Sequence, residues 1–363
     1  MGGQFRPCGP PRTVAPTTCR LRAACLIALC CPVAAAAAGA EPRVVSFGDL
    51  HGDYEHAVVM LRAAGLAEET EDADPLAWGP PAFARYRGVR WTGGNATLVQ
   101  TGDLVDRGTY ARDLYALFAE LRRQAAAAGG RVLNLVGNHE LMNVMHDLRY
   151  VPAGDYEAFG GKQAREAAFR ATGVVGKQIL EEFQLAAQVG ETVFAHAGLL
   201  PQDAKDGISA LNEKARHLLH VVVEQGRSAG GADAKRLLGA QGPLWQRRFA
   251  QKPERDMCPV LEEALHLTGA RRMVVGHTQV DDGHVRPRCG GRLLMADTII
   301  SRDGYPMCWT SDARHGCRGT MSFIEFRGPD AVAKIVTGTE NGAIVEEYPL
   351  PTPPAHDPMK NEL

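Results

Sequence analysis

Three short blocks in this chain hold side chains capable of chemistry at close spacing. Gly48-Asp49-Leu50-His51-Gly52 places a carboxylate and an imidazole two residues apart. Gly102-Asp103-Leu104-Val105-Asp106-Arg107-Gly108 adds two carboxylates and a guanidinium, and Gly137-Asn138-His139-Glu140 adds an amide oxygen, an imidazole and an acid. Two single histidines follow, His196 after Phe194-Ala195 and His277 after Gly276. Taken separately each block is ordinary, since Gly-Asp is a common turn and a lone histidine is usually a surface or core residue. Together and in this order they form the oxygen and nitrogen donor set of a site for two metal ions.

Each block follows a short apolar run. Arg43–Phe47, Thr97–Gln100, Arg131–Val136, Thr192–Phe194 and Arg272–Val275 read as strands that stop at the chemically active residues. His56–Ala64 and Arg112–Ala128 have the apolar spacing of helices, so strand and helix alternate as in an α/β fold. Ligands of open α/β sheets bind where strands give way to loops at their carboxyl ends, which is where these residues fall. Lys162–Leu185 and Ile208–Leu238 read as long helical stretches with polar faces, forming a cap or flank. The last third, with Arg292–Met295, Met321–Phe326, Ala333–Val336 and Ile344–Tyr348, is strand-like.

With all five blocks in place, the sequence resembles the calcineurin-like metallophosphoesterases, and more narrowly the phosphoprotein phosphatases whose GDxHG, GDxVDRG and GNHE motifs are complete here. Gly137-Asn138-His139-Glu140-Leu141-Met142-Asn143, Asp147-Leu148-Arg149-Tyr150-Val151, Gly242-Pro243-Leu244-Trp245-Gln246-Arg247 and Gly276-His277-Thr278 are similar to the Shewanella-like branch. The likeness runs from about Val45 to Phe326. It implies a β-sandwich flanked by helices over residues 41–350, with the metal site at the strand carboxyl ends. It also implies that Asp49 and His51 hold one metal, that Asn138, His196 and His277 hold the other, and that Asp103 bridges them.

Such a mixed nitrogen and oxygen set suits Mn first, with Fe or Zn as alternatives. Two ions lower the pKa of a shared water and brace an in-line displacement at phosphorus. By the same resemblance His139 is the general acid and Asp106 orients it. Arg107 clamps the phosphoryl group beside Asn138, and Arg247 supplies a second clamp. The Ser-Ala-Pro-Asn-Tyr loop of the eukaryotic phosphatases is missing. Ser301-Arg302-Asp303-Gly304-Tyr305 stands there instead, and no role is assigned to Tyr305. The expected activity is phosphomonoester hydrolysis on phosphoproteins, with phosphotyrosine favoured. A small-molecule phosphatase or dinucleoside polyphosphate hydrolase is the enzyme alternative, and an inactive lumenal binding module is the non-enzyme one. The residue before Asp106 is Val105, so the ligand tyrosine of purple acid phosphatases is absent.

Composition separates the two ends of the chain from its body. The net charge of −2 over 363 residues averages a leader carrying four arginines and no acid with a body of 36 basic and 42 acidic residues. A nucleic-acid binder held by a basic surface is therefore not expected. Residues 1–40 have a basic start, an apolar centre at Leu26-Ile27-Ala28-Leu29 and small residues before Glu41, the pattern of a cleaved signal peptide. No other stretch is apolar enough for stable membrane insertion. The tail 351–363 is Pro-rich and ends Lys360-Asn361-Glu362-Leu363, a KDEL-like address for a retention receptor. Both signals point to the endoplasmic reticulum lumen. Of nine cysteines, only Cys258, Cys289, Cys308 and Cys317 lie in the body, and spacing favours Cys308–Cys317 as one bridge. Asn95-Ala96-Thr97 is a glycosylation sequon in a Gly-flanked turn.

Overall fold

The computed structural model describes residues 43–70, 82, 88–338 and 343–354. Two mixed sheets carry the site. The first has six strands in the order Ile344–Leu350, Asp330–Thr337, Met321–Arg327, Val44–Phe47, Thr97–Gln100 and Arg131–Asn134. The last three run parallel, and the other neighbours are antiparallel. Val44–Phe47 and Thr97–Gln100 are buried along their whole length, which is why they read as near-continuous apolar runs without alternation. The second sheet has five strands in the order Ala186–Val189, Thr192–Ala195, Arg272–Val275, Leu293–Met295 and Arg286–Arg288, with its middle three parallel.

The two sheets share a core. Val99, Ile324 and Phe326 of the first pack in one apolar cluster with Phe194, Val274 and Leu294 of the second. Phe194 and Phe326 meet edge to face at 5.7 Å, and burying each such ring contributes about 1.5–3 kcal/mol. Helices cover the outside. Ala111–Ala127 buries Leu114, Leu117, Phe118 and Leu121 at helical spacing. The parallel strands thus bring their carboxyl ends, and the loops that follow, to one edge of the sandwich.

The strand positions match the sequence reading within two residues for the five site strands. The long helical stretches do not persist. Lys162–Leu185 breaks into helices Lys162–Phe169 and Val174–Lys177 and a π turn Gln178–Glu182, because Arg170 is extended and Gly173 packs against the carbonyls of Ala167 and Ala168. Ile208–Leu238 splits into Gly207–Gln225 and Gly231–Leu237. A hairpin of Ala67–Thr70 with Gly88–Trp91, and a helix Glu254–Thr268 that accommodates Pro259, go unread in the sequence.

Two disulfides, Cys258–Cys289 and Cys308–Cys317, stitch the C-terminal third, the second being the pairing that spacing favours. The start of the Pro-rich tail is held to the body, with Arg272 donating to the Pro351 carbonyl and Arg271 to that of Pro353. Residues 1–40, expected to be a signal peptide, and the terminal Lys360–Leu363, expected to be a retention address, lie outside the described residues. Among the described residues no helix is long and apolar enough to cross a membrane.

Candidate metal centre

The strand-end loops are wound unusually tightly. Of the eight described non-glycine residues with positive φ, five belong to the site: His51 (38°), Asp103 (58°), Asp106 (71°), Arg107 (67°) and His277 (65°). Each such conformation costs on the order of 1–3 kcal/mol and persists only where surrounding contacts impose it. Those contacts are visible. The Glu140 carboxylate accepts from the backbone N–H groups of Gly137, Asp103 and Leu104, all at 2.8 Å, and so fastens two loops together. Gly137 and Gly276 are required by close approach, because a Cβ on either would overlap a carboxylate oxygen, of Asp103 and of Asp49 respectively.

Of the six donors expected from the sequence, the structure groups His51, Asp103, His196 and His277 by their ligand atoms and sets Asn138 and Asp49 beside them. His51, Asp103 and His139 offer ligand atoms within 4.8 Å of one another, as do Asp103, His196 and His277, and Asp103 is common to both groups. Asn138 Oδ1 lies 2.9 Å from His196 Nε2, and Asp49 accepts from the His277 backbone N–H at 3.0 Å. Each of these imidazoles has one nitrogen occupied by a neighbour. His51 Nδ1 faces the Val105 carbonyl at 3.0 Å, His196 Nδ1 that of Thr101 at 2.9 Å, and His277 Nε2 that of Trp245 at 3.0 Å. The opposite nitrogen is thereby turned to the centre, the arrangement by which an outer hydrogen bond orients a metal-binding histidine.

Charge in the cluster calls for cations. Asp49, Asp103, Glu140 and Asp297 are all buried. Burial, reinforced by the charges of Asp297 and Asp103, pushes Asp49 well above the carboxylate range. Burial opposes ionisation of Asp103 too, but His196 and His139 outweigh it and hold its pKa well below normal. Burial, with His139 as the next cause, lowers His51 to about 3, and burial followed by His196 lowers His277 to about 3, so both present the neutral form that binds metal. Buried carboxylates beside neutral imidazoles, with no lysine or arginine bonded to Asp49 or Asp103 among the described residues, fit two divalent ions. Asp297 was not singled out from sequence. It ends the strand Leu293–Met295 as the other acids end theirs, but without the adjoining glycine that marked them.

Next to the donor cluster lies a proton-transfer arm. His139 Nδ1 is 2.7 Å from Asp106 Oδ2, and Asn143 donates to Asp106 Oδ1 at 2.9 Å. Arg107 stands at the rim with its Cζ 4.8 Å from the Tyr150 ring and 5.0 Å from the Tyr305 ring. Those rings also pack on the site histidines, Tyr150 on His139 at 5.1 Å and Tyr305 on His51 at 5.7 Å. Tyr305, given no role from sequence, is therefore a wall of the site. Arg247 is exposed and tied to the His277 loop through the His277 carbonyl (3.1 Å) and Thr278 Oγ1 (2.9 Å), which favours it over Arg248 as the second cation at the rim.

Residues 42–281 match the calcineurin-like phosphoesterase family. An uncharacterised protein of Schizosaccharomyces pombe is 36% identical over 259 residues, covering 70% of this chain and 72% of its own. Shewanella-like protein phosphatase 2 of Arabidopsis thaliana is 30% identical over 311 residues, covering 73% of each chain. Among solved structures, a cold-active protein-tyrosine phosphatase of a psychrophilic Shewanella superposes with a TM-score of 0.60 at 20% identity, covering 84% of this chain and 80% of that one.

Proposed function

The chain belongs to the calcineurin-like phosphoesterases and, within them, to the Shewanella-like protein phosphatases; it is a metal-dependent phosphoesterase, and we propose that it hydrolyses phosphomonoesters on proteins. The observation that carries this reading is that Asp103, shared by two donor groups, faces the His139–Asp106 pair and Arg107 in one cluster. Asp49, His51, Asp103, Asn138, His196 and His277 would hold two divalent ions, which we propose are Mn, and these when bound would supply Lewis acidity and lower the pKa of water at the site. Arg107, with Arg247 and the Asn138 amide, holds the phosphoryl oxygens. His139 gives its Nε2 proton to the departing oxygen as the P–O bond breaks, while its Nδ1–H stays on Asp106.

The phosphoresidue we propose is phosphotyrosine. The rings of Tyr150 and Tyr305, both packed at Arg107, would offer flat apolar surface to an aryl leaving group, which a seryl group would not use. Residence in the endoplasmic reticulum lumen, with residues 1–40 cleaved and Lys360–Leu363 read by a retention receptor, is proposed from sequence. Two disulfides in the body suit that oxidising compartment.

The test is metal-dependent hydrolysis of phosphotyrosine peptide, phosphoserine peptide and dinucleoside polyphosphate by the purified protein. Turnover should be highest on phosphotyrosine peptide and vanish with a chelator. Preference for the dinucleotide would replace the protein-phosphatase reading with the small-molecule one, and no hydrolysis of any substrate would end both.

A further inference from the structure

Behind the His139–Asp106 pair lies a cation that the reaction as described does not use. Arg165, on the helix Lys162–Phe169, has a side chain with no solvent exposure. Its Nε donates to Asp155 Oδ2 at 2.6 Å, and its terminal NH2 nitrogen stands 3.8 Å from Asp106 Oδ1. Neither terminal nitrogen has a hydrogen-bond partner among the described residues. Three rings enclose the guanidinium, with Phe169 at 4.5 Å and Tyr156 and Phe159 each at 5.6 Å from Cζ. Burying an arginine costs several kcal/mol even when it is paired, and a flank helix that only had to pack could use leucine or methionine here.

The contacts divide the Asp106 carboxylate between its two oxygens. Oδ1 receives the Asn143 amide and faces Arg165, which leaves Oδ2 for His139 Nδ1. A carboxylate held in this way cannot rotate without losing Asn143 and moving away from the buried cation. We propose that Arg165 is a positioning residue for proton donation, fixing His139 through Asp106, with Asp155 fixing Arg165 in turn. This rests on His139 being the proton donor. It extends the reacting machinery from the strand-end loops into the helical flank, along an alternating line of charge: Asp155, Arg165, Asp106, His139.

Leaving-group dependence separates positioning from packing. Phenolate, with a pKa of about 10, needs a proton as it departs, whereas dinitrophenolate does not at neutral pH. Turnover of phenyl phosphate and dinitrophenyl phosphate is to be compared in wild type, Arg165→Met, Arg165→Lys and His139→Asn, at equal metal content and equal folded fraction. Arg165→Met should lose roughly 10- to 100-fold on phenyl phosphate and less than about threefold on dinitrophenyl phosphate, and Arg165→Lys should recover part of the loss. Equal losses on both substrates would make Arg165 merely structural and overturn the proposal. If His139→Asn shows the split and the Arg165 variants do not, the proposal alone falls. If His139→Asn loses both equally, the proton-donor reading falls and takes the proposal with it. Should Arg165→Met not fold, Asp155→Asn carries the test: a smaller split of the same sign supports positioning, and equal losses contradict it.

Discussion

Two regions of this protein keep charge away from water by different means. Around the strand-end loops, Asp49, Asp103, Glu140 and Asp297 are buried together beside strained backbone at His51, Asp103, Asp106, Arg107 and His277, and His139 and His196 supply only part of the countercharge, leaving the rest to bound ions. In the helical flank, Asp155 and Arg165 are buried on regular helices and neutralise each other inside an aromatic enclosure. The first region is built to be incomplete without a ligand, and the second carries its own partner. It follows that the loops should respond to metal and the flank should not.

The largest effect falls on the shared ligand. Asp103→Asn should reduce metal-dependent turnover by more than about 1,000-fold, roughly 4 kcal/mol of transition-state stabilisation. The metal-free protein should lose some stability as well, since His196 and His139 favour the ionised Asp103 and the amide gives up that attraction. Turnover within tenfold of wild type would contradict the shared role. Arg165→Met should cost about 3–5 kcal/mol in denaturant titrations, equally with and without metal, because Asp155 and Asp106 stay buried without their cation. A loss confined to the metal-loaded protein would erase the distinction between the regions.

Saturating Mn, at about 100 times its dissociation constant, should stabilise wild type by about 2.7 kcal/mol per bound ion against a chelated sample and Asp103→Asn far less. Thermal melts of the four samples check this. Gly276→Ala drives a Cβ into the Asp49 carboxylate and should weaken Mn binding about 10- to 100-fold by calorimetry, with little change in the fold.

The smallest effect lies outside both regions, at Glu325 on the strand Met321–Arg327. Burial works against its charge, but Arg43, Arg327 and Lys334, at 2.9, 2.7 and 3.1 Å, hold its pKa down to about 2. An unfolded glutamate titrates near about 4.3, so this stabilisation is fully present above that pH and is lost as pH falls through about 2. Glu325→Gln should therefore cost about 1–2 kcal/mol at neutral pH, and the difference from wild type should close across that acid window with no change in turnover at neutral pH.

The loops were legible in the sequence because their chemistry constrains it twice. A carboxylate or imidazole at a strand end must be held by a turn that glycine allows, so Asp49, Asp103, Asn138 and His277 each come with a glycine directly before them. Asp297 lacks that glycine and so carries no such mark, although its strand Leu293–Met295 lies within the strand-like run Arg292–Met295. The flank reads as polar-faced helices because an arginine at helical spacing is ordinarily a solvated one. Nothing local distinguishes Arg165 from Arg170, and only the meeting of the helices Ala153–Ala158 and Lys162–Phe169 with the Asp106 loop buries the former. Tyr305 escaped for a similar reason, since its contact with Arg107 joins residues far apart in sequence.

Stepwise addition of Mn to metal-free protein, with hydrolysis of phosphotyrosine peptide read at each step, tests the two-ion site around Asp103 most directly. Activity should rise until two equivalents are bound per chain and then stop, and Asp103→Asn should stay inactive throughout. Full activity at one equivalent, or activity that survives a chelator, would contradict it.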